Sequence, residues 1–188
     1  MALIYNGKTL NPSAVIKYAG VDLQKIIYKN VTVWQKYLSG YVNYSKGRAQ
    51  VNQYDGYVNF PKFEHAYSLS NSNICLKVNS DNTITALCSC KVVVTMSFHA
   101  YWVDGVMPSA YVYITKNGSR IYTAYSSTGI DKAGVNIIYT SPSVSLSAND
   151  KIGVQVYGSY GGNSSVVGAR ANFVFNGDGY LKYTATVV

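Results

Sequence analysis

Along most of this chain apolar and polar residues alternate with a period of two, the spacing of a strand that buries one face. From Ala66 onward the alternation comes in short bursts separated by turn residues. "ICLKV" (74–78) leads into Asn79-Ser80-Asp81-Asn82, and "TITALCSCKVVVTMSFHAYW" (83–102) follows. In "SAYVYITKNGSRIYTAYS" (109–126), Asn117-Gly118 sits between two alternating runs, a strong hairpin signal. Ala110, Val112 and Ile114 share one face there, with Tyr111, Tyr113 and Thr115 on the other. Residues 134–160 predict two more strands about Ala148-Asn149-Asp150, and residues 168–188 close the chain with Ala171, Phe173 and Phe175 alternating. No helical period intervenes. Short strands at this spacing predict an all-β chain whose main part is a two-sheet sandwich or jelly roll.

The first forty residues behave differently. "YNGKTL" (5–10), "YAGVDL" (18–23) and "YKNVTV" (28–33) form an imperfect repeat, each with a turn-prone pair between strand-like residues. This predicts two or three short antiparallel hairpins with Tyr18, Tyr28 and Trp34 as their bulky members. A ribbon this small is marginal alone and needs another surface: the downstream domain, a copy of itself, or a foreign partner. Its terminal position and self-similarity favour a tether that docks through those three residues, against an edge hairpin of the main sheet. Residues 38–63 alternate weakly and are rich in Gly, Asn and Tyr, with Pro61 marking an edge or turn. The expected organisation is an anchoring segment (1–40), a connector (41–65) and a head domain (66–188).

Composition agrees with strands and turns: 19 tyrosines, only five phenylalanines, and 13% charged residues. The net charge of +8 is spread singly. Residues 1–40 hold five lysines and one aspartate, the remainder eleven basic and seven acidic residues. A general attraction to polyanions follows, but specific nucleic-acid binding, which normally clusters its charge, is not expected. Cys75, Cys88 and Cys90 lack CxxC spacing and read as reduced, packed side chains. No apolar run is long enough for a membrane span, and the start lacks the pattern of a secretory leader.

Hydrolysis needs a nucleophile with its base, or paired carboxylates. The chain has one glutamate, Glu64, two histidines and seven aspartates. Asp104, Asp131, Asp150 and Asp178 lie near turn residues, where an Asx-type turn is their ordinary role. Neither an enzyme nor a cofactor is expected. "NGDG" (176–179) lacks the rest of a calcium loop, and "GSYGGNSS" (158–165) lacks the Lys-Ser/Thr of a phosphate cradle. His99 and Trp102 read either as packing residues or as a ligand-facing rim. Tyrosine among Ser, Gly and Asn is the composition of adaptable recognition surfaces. That makes Tyr125, in "TAYSSTG", and Tyr160 with Asn163, in "YGSYGGNSS", the ligand-binding candidates, and such a surface also suits sugars.

Residues 84–102, the hairpin at 111–122, "VSLSANDKIGVQVY" (144–157) and "ARANFVF" (169–175) together resemble the strand order of C1q/TNF-type jelly rolls over roughly residues 66–180. Leu146 and Asn149-Asp150-Lys151-Ile152 loosely match that family's Leu…Gly-Asp-apolar signature, with Asn149 where Gly is usual. The resemblance implies a trimer and a closing aromatic strand near Phe173-Val174-Phe175. The N-terminal repeat separately resembles the virion-proximal segments of bacteriophage tail and fibre proteins. Together these imply a phage virion protein, assembled in the host cytoplasm, whose partners are its own copies, other virion proteins and a host-surface glycan. The alternatives are a capsid decoration or head fibre without receptor binding, and a carbohydrate-binding module serving an enzyme.

Overall fold

The computed structural model describes residues 4–5, 8–9, 17–18, 21–22, 25–28, 31–52, 56–103, 109–127, 134–159, 170–175 and 177–188. Three two-stranded antiparallel ladders come first: β1 (Ile4–Tyr5) with β2 (Lys8–Thr9), β3 (Lys17–Tyr18) with β4 (Val21–Asp22), and β5 (Lys25–Tyr28) with β6 (Val31–Gln35). They follow the repeated phrases read from the sequence. The next strands are β7 (Gly40–Asn52), β8 (Val58–Phe60), β9 (Phe63–Leu69), β10 (Leu76–Val78), β11 (Ile84–Ala86), β12 (Cys90–Val103) and β13 (Ser109–Lys116). After them come β14 (Ser119–Ser127), β15 (Val135–Thr140), β16 (Val144–Leu146), β17 (Lys151–Ser159), β18 (Arg170–Val174) and β19 (Tyr180–Val187). These later strands form two antiparallel sheets packed as a sandwich.

The larger sheet is organised by β12. Along one side β12 pairs with β19 and then β18, and along the other with β16 and then β15. β18 and β19 lie end to end in one lane, flanked by β7, with β9 outside β7. The smaller sheet runs β10-β11-β17-β13-β14, with β8 also on β17. Strict alternation makes this possible: Cys90, Val92, Val94, Met96, Phe98 and Ala100 are buried, while Lys91, Thr95, Ser97 and His99 face away from the core. Phe60, fully buried, lies 4.5 Å from Phe98 and 5.0 Å from Phe175 between ring centroids, joining the two sheets. Tyr44 and Tyr183 are also fully buried, ring centroids 6.4 Å apart, and burial pushes both phenols above their ordinary value.

Residues 41–65 are not a connector. β7 is an internal strand of the larger sheet and sends Val42, Tyr44, Ala49 and Val51 into the core, and β8 adds Val58 and Phe60. The sandwich therefore begins at Gly40 rather than Ala66. Register shifts between Tyr44 and Lys46 and between Lys46 and Arg48 break the alternation of β7, which is why it reads weakly. Gly47 lies within the second shift at φ +151°, and a Cβ there would come within 2.6 Å of Pro61 Cβ. Pro61 marks the corner where the chain leaves the smaller sheet for the larger, as Lys62 N donates to Arg48 O at 2.9 Å. Nor does the domain close near Phe175. β19 continues the lane of β18 for another eight residues.

The β13–β14 turn is of the type I′ kind, with φ +51° at Asn117 and +80° at Gly118. Its neighbour Asp150 ties it down. Asn117 Nδ2 donates to Asp150 Oδ1 at 2.8 Å, Ser147 N donates to Oδ2 at 2.9 Å, and Lys116 Nζ pairs with Oδ2 at 3.0 Å. Those hydrogen bonds, Asn117's foremost, hold the Asp150 carboxyl down at about 2.

Phe60→Ala empties the space between the sheets and should lower stability by about 3–5 kcal/mol in urea unfolding. A loss below about 1 kcal/mol would mean that Phe60 does not join them. Asp150 has a folded pKa below its unfolded value of 3.8, so its contribution is complete above pH 4 and disappears as pH falls toward 2. Asp150→Ala should therefore cost about 1 kcal/mol at pH 7 and much less at pH 2, measured by thermal melts. An equal loss at both values would rule out the charge as its cause.

Candidate functional site

Cross-strand register builds the most distinctive surface. Val156 of β17 stands between Val58 of β8 and Val112 of β13, all three buried. The residue beside each must then face outward, and on all three strands it is tyrosine: Tyr57, Tyr157 and Tyr111. Tyr113 lies one step further along β13. Centroid distances are 4.6 Å for Tyr57–Tyr157, 5.9 Å for Tyr111–Tyr157, 5.6 Å for Tyr57–Tyr113 and 6.2 Å for Tyr111–Tyr113, the last pair nearly parallel. From the edge strand β14, exposed Arg120 places its Cζ 3.6 Å from the Tyr57 centroid and 4.5 Å from that of Tyr113. Burial, then the field of Tyr57, push the Tyr113 phenol up, while Arg120 opposes the rise.

A shelf of amides adjoins the rings. Gln155 Nε2 donates to Asn59 Oδ1 at 3.3 Å, and Asn59 Nδ2 donates to Asp81 O at 3.1 Å. Asp81 Oδ1 accepts from Thr83 Oγ1 at 2.6 Å and from Thr83 N at 3.0 Å, and these bonds hold its carboxyl below the usual range. Two shallow clefts share Asn59 and Asp81: one reaches Tyr57, Pro61 and Lys62, the other Asn117 and Lys151. Flat rings beside amide donors and acceptors can hold the C–H face of a sugar while exchanging hydrogen bonds with its hydroxyls.

The outward face of the larger sheet has another character. Lys182 Nζ sits 4.2 Å from the centre of the Tyr41 ring, in a cleft shared with Asn43, Asp178 and Tyr180. Nearby, His99 Nδ1 lies 2.8 Å from Asn136 Oδ1, and Ile138 is 75% exposed. Cys75, Cys88 and Cys90 are buried thiols outside any disulfide, and hydrogen bonding with the other two pushes Cys75 up. Among the described residues, no group of three or more His, Cys, Asp or Glu is placed to hold a metal ion.

Of the residues singled out from the sequence, Tyr125 is half-buried on β14 opposite Val112 and leans on the core. Tyr160 and Asn163 lie outside the described residues. Tyr18, Tyr28 and Trp34 fall in β3, β5 and β6, with side chains outside the description; the side chain of Trp102 on β12 is outside it too. The shared face of Tyr111 and Tyr113 was legible from alternation. Tyr57, Tyr157 and Arg120 were not picked out, because distant strand pairing brings them there.

No protein-family model matches the chain, and no curated protein matches it. Among solved structures it resembles the Eiger TNF of S. frugiperda at a TM-score of 0.51 and 8% identity, covering 80% of this chain and 94% of that one. A pika GITRL structure aligns at a TM-score of 0.42 and 15% identity, covering 80% and 97%. With the sheet order above, the likeness to Eiger identifies the fold as a TNF-like jelly roll.

Because Arg120 favours the phenolate, Arg120→Ala should raise the Tyr113 pKa further, and Tyr57→Ala should lower it. Titration of ring-13C-tyrosine protein by NMR reads both. Shifts of the opposite sign would mean that the three groups do not interact as described.

Proposed function

We propose that this chain is a non-enzymatic attachment protein of a bacteriophage virion, a fibre or tail component whose jelly-roll head contacts a host-surface glycan. The observation that carries this reading is the tyrosine row Tyr57–Tyr157–Tyr111 with Tyr113, Arg120 and the amide shelf. It is an aromatic platform beside polar groups on a rigid sheet, and the core does not need its rings. The N-terminal ladders are the anchor, docking by strand pairing and through Tyr18, Tyr28 and Trp34. Their resemblance to virion-proximal fibre segments and their small size support that role.

The head acts as a homotrimer in this reading. The outward face of the larger sheet, with Tyr41, Tyr180 and exposed Ile138, is where copies meet, which leaves the tyrosine row of each copy facing out. The fold resemblance supports the trimer, and light scattering of the full chain tests it.

Two further experiments test the division of labour. Removing residues 1–36 should leave a folded sandwich that no longer joins particles, since the sandwich strands begin at Gly40. Incorporation at the normal level would contradict the anchor. Tyr157→Ala in the full chain should weaken glycan binding at least about tenfold on a polysaccharide array while leaving the melting temperature within a few degrees. An intact chain that binds nothing on such an array is instead a decoration without a receptor.

A further inference from the structure

We infer that the tyrosine face takes an anionic glycan, a polysaccharide whose sugar ring lies on Tyr57 and Tyr157 while its carboxylate or phosphate meets Arg120. This rests on the glycan-binding reading above and specifies its ligand. Arg120 is the observation that points there. At 3.6 Å from one ring centre and 4.5 Å from another, the guanidinium is held against aromatic faces. The part of a stacked guanidinium that still makes hydrogen bonds is its N–H edge, and that edge matches a planar carboxylate or a phosphate in a two-pronged contact. Among the described residues no carboxylate lies within ion-pair distance of Arg120.

The surrounding charge agrees. The described acids of this region, Asp81 and Asp150, are already engaged: Asp81 accepts from Thr83 twice, and Asp150 is occupied by Asn117, Ser147 and Lys116. With Lys116 and Asp150 neutralising each other, the described residues of the two clefts set Lys62 and Lys151 against Asp81, and Arg120 over the rings adds a further positive charge. The tyrosines also preorganise the cation, so that binding an anion costs little side-chain freedom. A nucleic acid is the less suitable polyanion. Its affinity depends on many phosphate contacts along a charged stripe, whereas here one stacked cation stands beside amides suited to hydroxyls.

The test is binding of full-length protein to immobilised polygalacturonate, polysialate, glycerol-phosphate teichoic acid, dextran and a 20-mer of thymidylate at 50 and 200 mM salt. At least one acidic polysaccharide should bind tenfold or more tighter than dextran, with affinity falling as salt rises. The polygalacturonate and polysialate arms separate a carboxylate ligand from the phosphate ligand of teichoic acid. Arg120→Gln should abolish that preference and Arg120→Lys should restore only part of it, both with unchanged thermal melts. Tyr157→Ala should remove binding to every polysaccharide. Equal binding to dextran with no effect of Arg120→Gln would overturn the anionic ligand and leave the glycan reading standing. Binding to no polysaccharide at all would overturn both, and tightest binding to thymidylate would overturn them in favour of nucleic acid.

Discussion

A strand that buries every second side chain must present the others to whatever lies outside, and the whole head follows from that constraint. β12 supplies the clearest case: its inward row, from Cys90 to Ala100, is sealed against the smaller sheet, while its outward row is Lys91, Val93, Thr95, Ser97 and His99, mostly polar. The smaller sheet obeys the same rule with a different outward alphabet. Val58, Val156 and Val112 fill the core, and the positions beside them are tyrosines. Core and candidate site are therefore alternate residues of the same strands. The rigidity that the sheet gives one is given to the other.

Local alternation and turn chemistry made most of the strands legible. Asn117-Gly118 adopts the positive φ pair that its sequence demands, and the three N-terminal phrases form ladders. What stayed hidden was non-local. β7 reads weakly because its register shifts interrupt the period of two, and β9 reads weakly because all seven of its residues are exposed. The bulge between Val112 and Tyr113 sets Tyr125 opposite an inward valine, so that a tyrosine which looks surface-facing in the sequence leans on the core. The candidate site suffered most from this. Tyr57 and Tyr157 are a hundred residues apart, and only the pairing of β8 with β17 makes them neighbours.

The two outward faces divide the tasks that the proposed function requires. The larger sheet offers polar residues, a cation over Tyr41 and the exposed Ile138, a mixed surface of the kind that a second copy can cover. The smaller sheet offers contiguous rings with a stacked cation, flat apolar faces with polar edges that suit a flat, hydroxylated ligand. Beside them, Gln35 of β6 reaches Asn73 at 3.1 Å, and Leu38, between β6 and β7, bridges to Ile74. In the proposed function, anchoring, self-association and recognition are assigned to separate parts of the chain.

The most direct measurement is a titration of ring-13C-tyrosine protein, followed by NMR, with the polysaccharide that it binds best. The account predicts that Tyr57, Tyr111, Tyr113 and Tyr157 shift together and saturate at one dissociation constant, while Tyr41 and Tyr180 stay where they are. Shifts confined to Tyr41 and Tyr180, with the tyrosine row unmoved, would place recognition on the larger sheet and contradict it.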